Sequence, residues 1–311
     1  MKIKGLVIKS VGGLFTVKCY DENSTIIETH AKGAFKHKNI KLLCGDEVEI
    51  DVDNHNEYYI SKVFERKNYL IRPPVSNIDI AFAVIPCVEP KPSFETIDKF
   101  VCICESKKIE PVIVITKSDL DKQFSEDVYD IYSKAGYKTF ITSSYNQDGI
   151  NSLIDYILDI SKEEKKVFVF SGASGAGKST LINSIFPGLQ LDTGELSYKI
   201  QRGKNTTRKT EFFYISDLLN VESKGYIVDT PGFSLLDLEK FDLLSFDDLF
   251  YTFREFESSI GKCRYKKCTH TKEDGCDILR RISSGEISKS RHDSYVSFFN
   301  ILKNKHTWNK N

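Results

Sequence analysis

The chain has 311 residues, of which 40% are hydrophobic, and its 44 Lys and Arg balance 44 Asp and Glu. This composition excludes a collagen-like or wholly disordered chain, and the zero net charge excludes a protein that is basic over its whole surface. The length predicts two or three domains. The longest apolar stretches are too short to cross a bilayer, so we expect a cytoplasmic protein without a membrane partner.

Residues 1–68 predict a small β-barrel. Short runs of alternating apolar residues lie at 4–8, 14–20, 25–29, 47–52 and 58–64. Turn-forming pairs such as Gly12-Gly13 and Gly45-Asp46 separate them. This pattern is typical of several short strands, and the five-stranded OB-fold is one candidate. A β-sandwich without a ligand is the alternative.

Residues 69–238 predict an α/β domain. Dense apolar runs at 78–85 and 111–116 are typical of buried parallel strands, and shorter runs lie at 138–142 and 166–170. Helical patterns at 94–106, 127–135 and 150–160 alternate with them. Residues 239–311 are expected to be mainly helical, with apolar residues at helical spacing in 243–256 and 283–302.

The segment that follows the apolar run 167–170 fits the phosphate-binding pattern GxxxxGK[ST]. Its backbone N–H groups would curl around phosphate oxygens, Lys178 would reach the β- and γ-phosphates, and the Ser179 hydroxyl would ligate Mg²⁺. A flexible Gly/Ser loop is the alternative. We call residues 172–179 the P-loop, and the predicted nucleotide-binding residues here are Gly172, Ala173, Ser174, Gly175, Ala176, Gly177, Lys178, Ser179 and Thr180.

Two further segments predict contacts to the γ-phosphate and Mg²⁺. The run Asp229-Thr230-Pro231-Gly232 follows an apolar strand, so Asp229 could hold Mg²⁺ through water and the Gly232 N–H could touch the γ-phosphate. Either Thr206 or Thr207 could close over Mg²⁺, and the residues alone leave that choice open. The stretch 196–210 is basic and lacks acidic residues, so it is either a solvated loop or a loop that also meets RNA phosphates.

The guanine-reading pattern [NT]KxD occurs twice. Guanine offers two adjacent N–H donors to a carboxylate and adenine does not, so this pattern discriminates GTP from ATP. The match at 271–274 has no apolar strand before it, whereas the match at 116–119 follows a dense buried strand. We therefore assign guanine binding to Thr116, Lys117, Ser118 and Asp119, with Ser143 and Ser144 in a second loop on the base side.

This assignment places the guanine motif before the P-loop along the chain. An ordinary Ras-like domain has the opposite order, so the sequence predicts a circularly permuted GTPase. Such a permutation is tolerable because the termini of a domain often lie close together.

A cysteine cluster between the two predicted C-terminal helices has the spacing C-x4-C-x-H-x5-C. Three thiolates and one imidazole suit a structural, tetrahedral Zn²⁺ with no position left for a catalytic water. Coincidence among buried thiols is the alternative. The predicted ligands are Cys263, Cys268, His270 and Cys276, and lysines and an arginine surround them.

These motifs together resemble the ribosome small-subunit-dependent GTPase A family over nearly the whole chain. Short stretches such as Cys44-Gly45-Asp46 and Arg66-Lys67-Asn68 add to the resemblance. It implies an OB-fold domain at 1–68, a permuted GTPase domain at 69–238 and a zinc-binding domain at 239–311. It also implies a monomeric GTP hydrolase that binds 16S rRNA, assists late assembly of the small ribosomal subunit and leaves on hydrolysis.

Two departures from common GTPase patterns bear on catalysis. Phe233 follows Gly232, where many GTPases place a Gln that orients water, so we expect slow turnover by the isolated protein. Asn205 stands where the resembled family usually has His. The predicted catalytic residues are Lys178, Thr206, Thr207, Asp229 and Gly232. An RNA-binding module that holds GTP with negligible turnover and an ATP-using P-loop enzyme are the alternatives.

Overall fold

The computed structural model describes residues 2–21, 23–31, 35, 41–53, 57–71, 74–189, 191, 210–229 and 243–308. The chain divides into two units, one made of residues 1–80, 155–170 and 186–233 and the other of residues 81–154, 171–185 and 234–311. Segment 69–238 contributes to both units, and the three domain boundaries stay a prediction. Within the described residues, no helix is both long enough and apolar enough to cross a membrane.

A closed barrel of five strands forms the first part of the first unit. The strands are β1 (Ile3–Val11), β2 (Leu14–Cys19), β3 (Ile26–Ala31), β4 (Glu47–Val52) and β5 (Tyr58–Val63). β1 pairs with β2 and β4, β2 pairs with β3, and β5 pairs with both β3 and β4. Every strand therefore has two neighbours, and the predicted OB-type barrel is confirmed.

Alternating apolar residues fill the barrel. Val7, Val17, Ile50 and Ile60 are fully buried in one cluster, and along β2, β4 and β5 the neighbouring residues are more exposed. This period of two is the signal that the sequence carries. The described residues contain no β-sandwich, because β3 and β5 pair and close the ring.

The first strand is longer than predicted because it also pairs outside the barrel. The end of β1 lies antiparallel to β12 (Thr210–Tyr214), with Lys9 opposite Glu211. β12 pairs antiparallel with β13 (Gly225–Asp229), which lies parallel to β11 (Lys166–Ser171). A short helix, α5 (Ile215–Leu219), follows β12 and ends at Asn220. In this unit the barrel and these three strands form one continuous sheet.

The buried carboxylate of Asp46 links the barrel to the segment that follows it in the sequence. Arg66 donates hydrogen bonds of 2.6 and 2.7 Å to the two carboxylate oxygens of Asp46, and the Ser76 hydroxyl donates one of 2.7 Å. Gly45 has φ +92, and a Cβ there would lie 2.2 Å from the Ser76 carbonyl oxygen. The short stretches around Gly45 and Arg66 therefore have a structural role. Ser76 belongs to a hairpin of β6 (Tyr69–Leu70) and β7 (Val75–Ser76).

The second unit contains the α/β elements that carry the predicted base-binding loops. In chain order they are β8 (Ile80–Pro86), α1 (Phe94–Ser106), β9 (Glu110–Thr116), α2 (Lys122–Lys134), β10 (Thr139–Ile141) and the start of α3 (Ile150–Ser161). β8 neighbours β9, and β9 pairs in parallel with β10. α2 begins before the predicted residue 127 because Asp121 caps it, accepting a 3.0 Å hydrogen bond from the Phe124 N–H.

The predicted helix at 243–256 is wrong. Two 3-10 helices, Leu249–Thr252 and Arg254–Ser259, flank Phe253, whose extended backbone interrupts them. The Phe253 ring stacks on Phe256 at 5.0 Å, so aromatic packing overrides the helical pattern. The predicted helix at 283–302 is confirmed from residue 289 onward as α7 (Lys289–Trp308), and a separate helix, α6 (Asp277–Ser283), ends where it was expected to begin. Between α6 and α7 lies Gly285, whose φ of +77 breaks the helical path.

Candidate functional site

The P-loop joins β11 to α4 (Lys178–Ile185). Gly175 and Gly177 adopt φ values of +78 and +86, which side chains with a Cβ rarely tolerate. Gly172 is required for a different reason, since a Cβ there would lie 2.5 Å from the Val84 carbonyl oxygen. The glycines of the motif thus allow the backbone to turn tightly at the start of a helix. The N–H groups there are available to bind an anion.

The positive charge of the P-loop comes from Lys178. Its Nζ donates hydrogen bonds of 2.9 and 2.7 Å to the carbonyl oxygens of Gly172 and Ala173, so the ammonium group lies on the loop itself. Ser179 and Thr180 follow in the first turn of α4, whose N-terminal N–H groups add positive potential. A loop with these donors can hold the phosphates of a nucleotide.

The predicted guanine motif lies against the P-loop. The Thr116 hydroxyl, at the end of β9, donates a 2.7 Å hydrogen bond to the Ala176 carbonyl oxygen. Lys117 Nζ donates one of 3.0 Å to the Gly175 carbonyl oxygen and one of 2.7 Å to that of Glu89. The upstream motif and the downstream loop therefore form one site, as the permuted order requires.

The second base-side loop is bonded to the first. The Ser143 hydroxyl donates a 2.5 Å hydrogen bond to Asp119 Oδ1, and the Ser118 N–H donates one of 3.2 Å to the Thr142 carbonyl oxygen. Ser143 is buried while Asp119 is exposed, so a buried hydroxyl orients an accessible carboxylate. The neighbouring Ser144 accepts a 2.7 Å hydrogen bond from the Gln147 side chain through its carbonyl oxygen. These bonds hold the two loops in register at the ends of the parallel strands β9 and β10.

The remaining predicted phosphate-side residues are only partly described. Asp229 is the last residue of β13. Thr206, Thr207 and Gly232 lie outside the described residues, as do Asn205 and Phe233. Their catalytic roles stay a prediction.

The cysteine cluster brings four potential metal ligands together. The ligand atoms of Cys263, Cys268, His270 and Cys276 all lie within 4.8 Å of one another. His270 Nδ1 is 3.5 Å from the sulfurs of Cys263 and Cys276, and these two sulfurs are 4.0 Å apart. A tetrahedral zinc ion with bonds of about 2.3 Å to sulfur and about 2.0–2.1 Å to nitrogen separates its ligands by roughly 3.5–3.8 Å. The donor set therefore fits such an ion.

The surroundings of the cluster fix its geometry. Burial lowers the pKa of His270, which favours the neutral imidazole that a metal needs. The Asp277 N–H points at Cys263 Sγ at 3.4 Å, an orienting contact of the kind that supports metal ligands. From α7, His292 Nε2 donates a 2.7 Å hydrogen bond to the His270 carbonyl oxygen, and the Tyr295 hydroxyl donates one of 3.1 Å to that of Thr269.

The second [NT]KxD match, at 271–274, is part of this metal loop. The Glu273 carboxylate accepts hydrogen bonds of 3.0 Å from the N–H groups of Thr269 and Thr271, as well as one from the Thr269 hydroxyl. Partial burial raises the pKa of Glu273, but hydrogen bonds from the Thr269 hydroxyl and from the N–H groups of Lys272 and Thr269 outweigh this effect and lower the pKa to about 2. Its carboxylate is thus committed to the metal loop. Asp274, which stands at the base-reading position of this match, instead forms an exposed 3.1 Å ion pair with Arg264.

Comparison with known proteins identifies the family. The RsgA N-terminal domain family matches residues 4–60, and the RsgA GTPase family matches residues 63–239. The chain belongs to the RsgA GTPase family. Small ribosomal subunit biogenesis GTPase RsgA from Caldanaerobacter subterraneus is 36% identical over 98% of this chain and 97% of its own. The protein of that name from Bacillus subtilis is 36% identical over 97% and 98%.

Two solved structures share the fold. A structure described as YloQ, a circularly permuted GTPase, superposes with a TM-score of 0.74 at 32% identity, covering 98% of this chain and 96% of the other. YjeQ from Thermotoga maritima gives a TM-score of 0.77 at 30% identity, covering 97% and 99%. The predicted family, the permuted GTPase fold and the GTPase class are thereby confirmed.

Sequence reasoning missed a buried ion cluster in this RsgA-family chain. Arg291, on α7, is 1% exposed and donates hydrogen bonds of 2.6 Å to Asp98 on α1 and 2.8 Å to Glu255. The Tyr132 hydroxyl also donates to Asp98, at 2.9 Å. These residues are far apart in sequence and share no motif, so no spacing signal could have found them. The same holds for His292, whose contact with the metal loop the sequence does not indicate.

Proposed function

We propose that this chain is a GTP hydrolase that assists late biogenesis of the small ribosomal subunit in the cytoplasm. The observation that carries the proposal is the contact of Thr116 and Lys117 with the P-loop carbonyls of Ala176 and Gly175. It places a guanine-type motif beside a phosphate-type loop in the permuted order of the family. The ribosomal role is supported by the names of the relatives from Caldanaerobacter and Bacillus.

The base would be selected by Asp119. Its exposed carboxylate, oriented by Ser143, can accept hydrogen bonds from both N1–H and N2–H of guanine. Adenine lacks this donor pair and would leave the carboxylate without partners, so ATP is disfavoured. The Lys117 stem, held by its Nζ at the P-loop, would lie over the ring.

The phosphates would be held by the P-loop N–H groups and by Lys178. Ser179, in the first turn of α4, would hold Mg²⁺ together with Thr206 or Thr207 and, through water, Asp229. When bound, Mg²⁺ supplies charge neutralisation at the β- and γ-oxygens. Phe233 offers no polar group to orient water, so we expect slow turnover until the ribosomal subunit completes the site.

The C-terminal cluster would bind one structural zinc ion and present a basic surface to rRNA. The donor set of three thiolates and one imidazole leaves no open position for catalysis. Tyr265 and five cationic side chains around the ligands are all exposed, namely Lys262, Arg264, Lys266, Lys267 and Lys272. Such a patch can neutralise phosphates although the chain as a whole is neutral. The OB barrel would supply a second contact to 16S rRNA, and we propose that the free protein is a monomer.

The test is multiple-turnover phosphate release from GTP with small subunits, with large subunits and with neither. We expect slow release alone and a large acceleration by small subunits only. ATP in place of GTP should give neither binding nor turnover. Negligible turnover under all three conditions would favour an RNA-binding module that uses GTP as a ligand. Equal stimulation by both subunits would contradict the proposed partner.

A further inference from the structure

An exposed tyrosine lies at the base-side loop. Tyr145 is 89% exposed, more than the next tyrosine among the large exposed hydrophobic residues, Tyr251 at 71%. It directly follows Ser143 and Ser144, which the sequence assigns to the base. An aromatic ring kept almost wholly in water offers a flat apolar face to a ligand.

The backbone of Tyr145 is one hydrogen bond away from the residue that orients Asp119. The Tyr145 N–H donates to Ser143 Oγ at 3.2 Å, and Ser143 Oγ donates to Asp119 Oδ1 at 2.5 Å. A base whose edge meets Asp119 would therefore have Tyr145 beside it.

The loop that carries Tyr145 is closely tied down. Asn146 Nδ2 donates a 2.7 Å hydrogen bond to Asp148, and the Ser143 N–H donates one of 3.0 Å to the Asp148 carbonyl oxygen. Gly149 has φ +68, and a Cβ there would lie 2.0 Å from the Ile141 carbonyl oxygen. The position of the Tyr145 backbone is thus set before any ligand arrives, which reduces the entropy lost on binding.

Lys117 defines one side of the site. Its Nζ is held by the carbonyl oxygens of Glu89 and Gly175, so its alkyl stem provides one surface for a base. A planar base needs a second surface to be sheltered from water on both faces. Among the described residues near Asp119, Tyr145 has the exposed aromatic ring that can supply it.

We propose that the Tyr145 ring stacks on the guanine base on the face opposite Lys117. This inference rests on the proposed function, since it requires that Asp119 reads guanine. Tyr145 then adds affinity for the base without choosing between purines, because every base has a π-face. Selection stays with Asp119.

The first test compares the Kd for GDP of Tyr145→Ala and Tyr145→Phe by calorimetry, with Tyr251→Ala as the matched exposed control. We expect about a tenfold weakening for Tyr145→Ala, a value within the range of base–aromatic stacking. Tyr145→Phe and the control should stay within about twofold of the unchanged protein. An unchanged Kd for Tyr145→Ala would overturn the proposal. If that variant instead loses affinity for small subunits alone, the ring serves a macromolecular partner.

A second variant reports stacking directly. The sequence has one tryptophan, Trp308, so Tyr145→Trp in a Trp308→Phe background has a single indole. Stacking on guanine should quench its fluorescence as GDP is added. Fluorescence that stays constant while calorimetry records GDP binding would contradict the proposal.

A third comparison separates this inference from the function on which it rests. Asp119→Asn should bind xanthosine diphosphate, and adding Tyr145→Ala should weaken that binding about tenfold as well, because a stacking ring acts independently of the base edge. If the unchanged protein binds no GDP, both the function and the stacking role fail. If it binds GDP and depends on Asp119 but not on Tyr145, only the stacking role fails.

Discussion

The Thr116 hydroxyl donates a 2.7 Å hydrogen bond to the carbonyl oxygen of Ala176. One residue ends a strand in the base-binding segment, and the other lies inside the P-loop far downstream in the chain. Both are buried, so the bond is shielded from water and more costly to break than an exposed one. It makes the position of the guanine motif depend on the conformation of the phosphate loop. The loops that we predict to bind the base and the phosphates are therefore parts of one structure.

Replacing Asp119 by Asn should exchange guanine for xanthine. The Asn amide can donate to the C2 oxygen of xanthine, whereas it cannot accept both N–H groups of guanine. We expect the Kd for GDP to rise at least about 100-fold. The variant should then bind xanthosine diphosphate more tightly than GDP. Calorimetry with both nucleotides checks this. Asp130→Asn, which changes an exposed carboxylate on α2, should bind GDP normally.

Removing the P-loop ammonium should stop turnover. Lys178→Ala takes away the cation that would stabilise charge on the transferred phosphoryl group, so the rate should fall at least about 100-fold. Phosphate release in the presence of small subunits is the measurement. Lys134→Ala removes an exposed lysine on α2 and serves as the control. Retention of more than half the rate by Lys178→Ala would mean that hydrolysis occurs elsewhere.

Loss of two thiolates should release zinc but spare the nucleotide site. A Cys263→Ala, Cys268→Ala double variant leaves two of four ligands, too few for a stable structural site. Metal analysis should find one zinc per chain in the unchanged protein and close to none in the variant. The buried Cys19 thiol lies in the barrel, so a Cys19→Ala variant should retain the zinc ion of the C-terminal cluster. Full zinc content in the double variant would show that the ligands are other residues.

The GDP affinity of the same double variant is a separate expectation. The base loops are hydrogen-bonded to the P-loop, whereas the metal loop is hydrogen-bonded to α7, so binding should change by less than about threefold. A variant that has lost both zinc and GDP would indicate that the metal loop supports the nucleotide site.

The buried Arg291 cluster should contribute strongly to stability. Arg291→Met leaves the buried carboxylates of Asp98 and Glu255 without their cation, and breaking such a pair costs about 3–5 kcal/mol. Urea unfolding should show the loss as a lower midpoint. Lys289→Met breaks the exposed pair with Asp293 on the same helix, where a change below about 1 kcal/mol is expected. Equal effects of the two changes would contradict this assignment.

Much of the site could be predicted from sequence because its chemistry requires residues at short spacing. The turns of the P-loop need Gly175 and Gly177, and the metal loop supplies four ligands within a short segment, so local patterns carry the information. The barrel was predictable for the same reason, since its strands alternate with a period of two.

The features that could not be predicted from the sequence depend on contacts between residues that lie far apart in the chain. The pairing of β12 with β1 and the bonds from Arg291 to Asp98 join residues that share no local pattern. The helix expected at 243–256 does not form because Phe253 packs against Phe256 instead. In each case tertiary contacts decide a structure that local preference leaves open.

A crystal structure of the protein with GDP and Mg²⁺ tests directly whether the carboxylate upstream of the P-loop reads the base. We expect the Asp119 carboxylate to lie within about 3 Å of both N1 and N2 of guanine while the P-loop holds the β-phosphate. A structure with the β-phosphate in the P-loop and Asp119 turned away from the base would contradict it.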